Sequence, residues 1–550
     1  MLARLTLVRR TTIRDVTIDA GPAAIGLDVS GVDGYAAYKQ HGITRHSIGG
    51  GGTIEDITIR GGDTSLKISS SQWALRGLNL SGAASQGMLC ETNTMIQLVD
   101  SEISAVPVAV TLAAGSSYVF LDMWFSNIGN GTAIRSGGRA LYLENATADN
   151  SVRSLVDDGP AALDPAKAFW QGAAYLGGVK DARSSGTVAA SRLPRLLQSR
   201  PTFEKAGGAD PANVLAFGAK GDGIHDDTAA FVKAIAASEV VFVPWGLYKI
   251  TETLVLTSKS KIVGEGLAHI WLGNNSAGFN NPQKPKALIL APDDADAEVW
   301  LADLLVTCGK GNAGAVSIHW MSGHGGIWDV HLPFYMSSQA FLLHLDRNGG
   351  GTFSNMWLWG GDHDVNTNQA ADTWPSFPAA DLPCTVVAGK GRQCCCSAWN
   401  NSYGFLATST GRAYFLGVAS EHDVEIAWSV KSASNIVMIG TPQTEHTPLA
   451  LSVQDSDSIE IFGVLATAMH PDFYAPGPWP RSRRQGLPAL IALSNNTRTR
   501  LVAPNVCSSS MIVNSTDASM RVAEGGVGFR SAIIAWDTSG NSTLASIKRA

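Results

Sequence analysis

Glu421 and Glu445 lie 24 residues apart and occupy nearly the same place in a repeat. The stretch that holds them reads GRAYFLGVASEHDVEIAWSVKSASNIVMIGTPQTEH, from Gly411 to His446. A short alternating apolar run closes on Gly417 and again on Gly440, and SDSIEIFG closes a third on Gly463, so both steps are 23 residues. A constant period of that length with one short strand per copy is the signature of a solenoid. Three or more strands fit in each coil, which suggests a parallel β-helix with rungs roughly 4.8 Å apart. Glu421 is four residues past its glycine and Glu445 five past the next. Equal phase means the same face, so the repeat stacks two carboxyls about one rung apart. Such a pair resists double ionisation, and one pKa is expected to rise. A raised acid beside an ionised partner is what cleavage of a glycosidic bond uses. The plain alternative is two exposed turn residues on a solenoid edge.

The elements that must position this pair recur along the chain. Between residues 11 and 150, TIRDVTID, TIEDITIR, WALRGLNL, MIQLVDSEI, YVFLDMWF and RALYLENA return every 20–24 residues from the second onward, separated by Gly, Ser or Asn. From about Asp157 to Asn213 the period disappears into Ala-, Pro- and Arg-rich sequence, read as a connection. A second run opens at NVLAFGAKGDGIHDDTAAFVKAIAA, where Asp226 or Asp227 is a plausible N-cap for a helix plugging the second solenoid. The acidic GDGIHDD cluster reads as turn and capping chemistry in preference to a metal site. The expected division is a first β-helix over 1–155, a connection over 156–212 and a second β-helix over 213–550. The first run starts abruptly, so Val16 and Ile18 are expected to lie exposed at an uncapped end.

Composition narrows the class. The 550 residues carry a formal charge of −6, only 16% charged residues and 58 glycines, which suits a turn-rich β protein without a nucleic-acid surface. No apolar run is long enough to span a membrane as a helix. Seven cysteines leave at least one unpaired within the chain, and Cys394-Cys395-Cys396 has no zinc spacing. A disulfide through Cys308 or Cys384 is open in an oxidising compartment. The N-terminus lacks a signal peptide, yet Asn-x-Ser/Thr sequons at Asn79, Asn130, Asn145, Asn274, Asn400, Asn495, Asn514 and Asn541 favour secretion. An N-terminally incomplete chain reconciles the two.

Certain segments are specific enough to resemble known families. FGAKGDGIHDDTAAFVKAI followed by VVFVPWGLYKI resembles the opening of pectate-lyase-like β-helix domains. GGIWDVHL, GTFSNMWLWGGDHDV, GVASEHDV and the QTE of TPQTEH, in that order, resemble glycoside hydrolase family 55, as do GGTIEDITIRGG and SSSQWALRGLNL upstream. The resemblance implies two right-handed parallel β-helices side by side, with the site in the groove between them. It implies an extracellular, monomeric exo-acting hydrolase of β-1,3-glucan that releases glucose with inversion, needing no metal or cofactor. Family members carry a GAKGDG–DDT block before each solenoid and this chain has only the second, as if its first cap and coils were missing. By resemblance Glu445 of QTE is the general acid and Glu421 of SEH belongs to the polar network around the attacking water. Gln72 matches a water-holding glutamine, and a hydroxyl expected about 24 residues later falls nearest Gln97 by phase and Thr94 by chemistry.

Trp357, Trp359, His363 and Asp364 lie in the coil before the glutamates and offer the aromatic faces and polar groups of a sugar subsite. Trp357 and Trp359 share one face of a strand, which is core if it points inward. His422 points away from Glu421 in an extended chain. Two other classes compete: a non-catalytic glycan-binding β-helix, favoured by the departure at Gln97, and a polysaccharide lyase, which wants Ca²⁺ and a Lys or Arg base not visible on these coils.

Overall fold

The structure, a computed structural model, describes residues 3–7, 11–31, 52–69, 72–91, 95–113, 117–157, 159–176, 179–191, 193–201, 211–334, 341–360, 385–387, 391–393, 403–421, 426–445, 449–467, 487–515, 526–531 and 533–537. Most of it is strand, paired chiefly in parallel between coils 20–26 residues apart or, past insertions, further. It forms parallel β-helices. In the first, one wall runs through Ala3–Leu7, Ile25–Gly31, Thr64–Ser69, Gln86–Cys90, Val108–Leu112, Thr132–Arg135 and Ser154–Val156. A second wall runs through Thr11–Arg14, Gly52–Glu55, Trp73–Arg76, Met95–Val106, Ser117–Ile128 and Leu141–Ala148.

Each coil turns a corner at one residue in the left-handed region. In the first solenoid this residue is Asp56, Gly77, Asp100, Asp122 and then Asn145, all with positive φ. Asp, Asn and Gly are the residues that tolerate this conformation, so the corner explains their regular return in the sequence. The second solenoid repeats the device with Asp303, Asp329, Asn355, Gly417, Gly440 and Gly463.

The connecting residues do more than connect. Lys167–Gln171 and Ser185–Ala189 add two antiparallel strands to the first solenoid's second wall. The chain then runs along the seam between the solenoids, where Arg195 bonds Asp122 and Glu144, Gln198 N donates to Thr352 Oγ1 at 3.0 Å and Arg200 pairs with Asp303. A cavity of about 420 Å³ beside this segment is lined by Asp122, Glu144, Ser191 and Arg195, whose charges are already paired with one another. It is a structural seam.

The second solenoid is plugged by the helix Thr228–Ala237, which buries Ala230, Phe231, Ala234 and Ile235. Asp227 stands at its cap position, but its carboxylate turns back to accept from the amides of Lys220 and Gly221. Asp226 accepts from the amide and hydroxyl of Thr228 and from Thr251 Oγ1. The GDGIHDD cluster is therefore turn chemistry. At the other solenoid's first coils, Val16 is 39% exposed as expected, whereas Ile18 is partly buried and packs on the core. Cys308 is buried with Sγ 3.8 Å from Ser317 Oγ; Cys384 lies outside the described residues.

The two solenoids touch along an apolar seam of Ala74, Val99, Val119, Leu121 and Tyr142 against Tyr414, Leu416, Val437, Ile439, Phe462 and Val502. Intervening residues such as Phe415 and Met438 face the second solenoid's own core. Strands buried on both faces read as solid apolar runs, which is why AYFL, NIVMI and IEIF sit just before their glycines.

Candidate active site

Gly417, Gly440 and Gly463 face the first solenoid closely enough to leave no room for a side chain. A Cβ on Gly417 would stand 2.7 Å from Thr53 Cγ2, one on Gly440 3.0 Å from Ala74 Cβ and 2.8 Å from Gln97 Oε1. At Gly463 it would stand only 2.3 Å from Gln97 Nε2. Only glycine supplies both the positive φ and the missing atom. The three glycines that define the repeat thus mark the corner from which each coil leaves the seam.

Just past these corners lie the short strands Ala419–Glu421 and Gln443–Glu445. They pair in parallel with Ala419 opposite Gln443, and continuing that register two residues brings Glu421 level with Glu445. The one-residue offset in phase read from the sequence is absorbed before the strand begins. Gly440-Thr441-Pro442 uses one more residue than Gly417-Val418, and Thr441 Oγ1 accepts the Val418 amide at 2.8 Å. The two acidic positions therefore occupy adjacent rungs, one strand spacing apart in backbone.

The neighbouring rung is Trp357–Gly360, with Trp357 opposite Ala419 and Trp359 opposite Glu421. Leu358 between them is fully buried in the core, so the alternation sends Trp357 to the outer side of the wall, where it meets the edge of His331 with ring centres 5.8 Å apart. That resolves the choice between core and surface. Glu421 itself is 2% exposed. Trp359 and Glu445 are placed by strand register alone, and His363, Asp364, Thr94 and His422 lie outside the described residues.

Gln72 comes from the other solenoid. It sits at a left-handed corner, φ +68°, without being glycine, and its carbonyl accepts from Gln443 Nε2 at 3.4 Å. Gln443 also donates to Gly440 O at 2.9 Å. This side chain ties the strand of Glu445 to the first solenoid across 371 residues of sequence. It was missed as a site residue although it lies two residues before Glu445 in the same motif. Gln97 is brought to the same seam but is fully buried, and its amide packs on Gly440 and Gly463 with no hydrogen-bond partner for either end.

One rung further along, polar groups from both solenoids and the connection converge on Asp329. Its Oδ1 accepts from Thr12 Oγ1 at 2.9 Å, Arg14 Nη2 at 2.9 Å and Asn355 Nδ2 at 2.7 Å. Glu55 beside it is buried and accepts from Ser354 Oγ at 2.6 Å, with Arg14 3.7 Å away. Burial pushes the Glu55 pKa up despite Arg14 and Arg76 nearby. Among the described residues this network, the apolar seam and the Gln443 bond hold the two sides of the site together.

Comparison with known proteins accords with this architecture. Residues 212–286 match the family model described as rhamnogalacturonase A/epimerase, pectate lyase-like. The chain is 23% identical over 380 residues to a glucan 1,3-beta-glucosidase of Cochliobolus carbonum, covering 58% of this chain and 48% of that protein. It is 26% identical over 294 residues to a probable glucan endo-1,3-beta-glucosidase of Arthroderma benhamiae, covering 46% and 30%. It is also 25% identical over 285 residues to a non-secreted LysM effector, LysM15, of Penicillium expansum, covering 46% and 18%. The chain thus spans less than half the length of these relatives. The matches to the two glucosidases agree with the resemblance to glycoside hydrolase family 55.

Proposed function

We propose that this parallel β-helix protein, related in sequence to glucan 1,3-beta-glucosidases, hydrolyses β-1,3-glucan from the non-reducing end and releases glucose with inversion. The observation that carries the hydrolase reading is the level placement of Glu421 and Glu445 on adjacent rungs, beside the outward-facing Trp357 and against Gln72 of the facing solenoid. Inversion comes from the family resemblance, since the carboxyls of an inverting pair stand roughly 6.5–9.5 Å apart, more than one strand spacing. In the reaction, the Glu445 carboxyl protonates the glycosidic oxygen as the bond to the anomeric carbon breaks. Water attacks that carbon from the opposite face, losing a proton to the network that contains Glu421. Trp357 and Trp359 offer faces for the sugar, and Gln72 stands on the side from which the water arrives.

The burial of Gln97 favours one second reading, a glycan-binding β-helix without turnover, because an amide packed against glycine leaves the water one holder short. Incubation with laminarin separates the readings. Glucose whose first-formed anomer is α, read by NMR, is the expected product. Oligosaccharides as first products would overturn the exo mode, and first-formed β-glucose would overturn inversion. Unsaturated products absorbing in the ultraviolet would mean a lyase, and retained binding with no product the module. The enzyme is proposed to act as an extracellular monomer. Asn79, Asn130, Asn145, Asn274 and Asn495 are exposed, so material secreted from a eukaryotic host should drop in mass on endoglycosidase treatment.

A further inference from the structure

A second cluster of chemistry-bearing residues lies on a different wall. Ala315–Trp320 and Phe341–Leu345 are neighbouring strands of the nine-stranded sheet, with His319 opposite His344. Ile318, Trp320, Leu343 and Leu345 are buried in the core, so the alternation turns both histidines outward. Their rings stack with centres 4.6 Å apart and planes 12° from parallel. The chain then bends at Asp346, whose Oδ2 is 3.2 Å from His319 Nε2. Thr408, from just past the next rung Tyr403–Ala407, donates from Oγ1 to Asp346 Oδ1 at 2.8 Å and lies 3.2 Å from His344 Nε2.

We infer that His319, His344 and Asp346 form a binding site for a zinc-class divalent cation, independent of the glutamate pair. One ligand atom from each of the three falls within 4.8 Å of the others, the one such group among the described residues. Two ligands on a tetrahedral zinc ion with bonds of about 2.0–2.1 Å sit about 3.3 Å apart, close to the His319–Asp346 spacing. Two imidazoles and one carboxylate select zinc, cobalt, nickel or copper over magnesium or calcium, which prefer oxygen throughout. Thr408 holds the free oxygen of Asp346, the outer-shell support such ligands ordinarily have. His319 and Asp346 side chains are 25% and 23% exposed, so an ion has access and solvent can complete its shell. Arg347 Nε approaches Asp346 Oδ2 at 3.9 Å, but its guanidinium is engaged by Asp293. The bound ion would staple two neighbouring rungs, with Thr408 of the next rung bonded to Asp346.

The test is titration of the full, tag-free chain with zinc alone after chelator treatment, followed by calorimetry. One zinc per chain is expected with micromolar or tighter affinity, weakened at least tenfold in His319→Gln and in His344→Gln. Each variant is first checked by circular dichroism for wild-type β content. Replacement by Co²⁺ should give visible d–d absorption of tetrahedral intensity that disappears in Asp346→Asn. Less than one zinc per chain, unchanged affinity in both histidine variants, or a cobalt spectrum matching aqueous cobalt would overturn the site.

Discussion

At the scale of the residue, the two glutamates have separable jobs. Glu445→Gln keeps shape and hydrogen bonding but removes the transferable proton. Acid catalysis is worth roughly 10²–10⁴-fold, so laminarin turnover should fall by about that factor while ligand binding survives. Near-wild-type turnover would remove Glu445 from the role. Glu421→Gln takes away a negative charge on the adjacent rung. Loss of that charge should also lower turnover and move the alkaline limb of the pH–rate profile to lower pH, because Glu445 then ionises more readily. A limb that stays in place would show the two carboxyls to be uncoupled.

At the scale of the element, the corner glycines bear the weight of the design. Gly440→Ala must hold a side chain at φ +58° and push its Cβ into Gln97 and Ala74. Left-handed strain of about 1 kcal/mol plus overpacking of about 1–3 kcal/mol gives an expected loss of about 2–4 kcal/mol in urea unfolding. Gly266→Ala is the control: its φ is +57° but nothing lies within 4 Å of the new atom. It should lose only the backbone part. Equal losses in the two variants would mean that the close approach of the solenoids at Gly440 contributes nothing. The same physics explains the non-glycine corners, since Asp329 and Asn355 carry side chains that reach into the polar network at the seam.

At the scale of the whole molecule, the lateral packing rests on that network as well as on apolar contact. Asp329→Ala would leave Arg14, a side chain 12% exposed in the intact protein, without its nearest carboxylate. Because the pair is only partly buried and Arg14 keeps Glu55 at 3.7 Å, a loss of about 1–3 kcal/mol is expected in urea unfolding, and a change under about 1 kcal/mol would leave the docking to the apolar seam and the remaining polar contacts. Stability should also depend on pH through His269. Its ring lies 2.6 Å from Thr307 Oγ1, and burial pushes its pKa down to about 4. The unfolded chain takes up this proton near pH 6.5 and the folded chain near 4. The resulting stability is present above pH 6.5, declines as pH falls through the window and is gone below about 4, with an upper limit of about 3 kcal/mol. His269→Asn should flatten the slope of unfolding free energy between pH 6.5 and 4; an unaltered slope would place the proton elsewhere.

The repeat, the parallel strands and the two acidic positions were legible in the chain because each is local. A 23-residue period, an apolar run of strand length and a turn residue at constant phase are written in consecutive residues. Three matters were decided only by tertiary contact. The glycines at 417, 440 and 463 look like turn residues, and only the facing Thr53, Ala74 and Gln97 reveal them as a docking line. The one-residue offset in phase between Glu421 and Glu445 is settled by inter-strand hydrogen bonding, which fixes register at the strand and pushes the extra residue into the corner before it. The connection, aperiodic in sequence, became two strands and a seam-filling segment because its partners, Asp122, Glu144, Asp303 and Thr352, lie up to 154 residues away. Periodicity reports a side chain's phase within its own coil; whether that phase meets solvent, core or a second solenoid depends on atoms contributed from elsewhere in the chain.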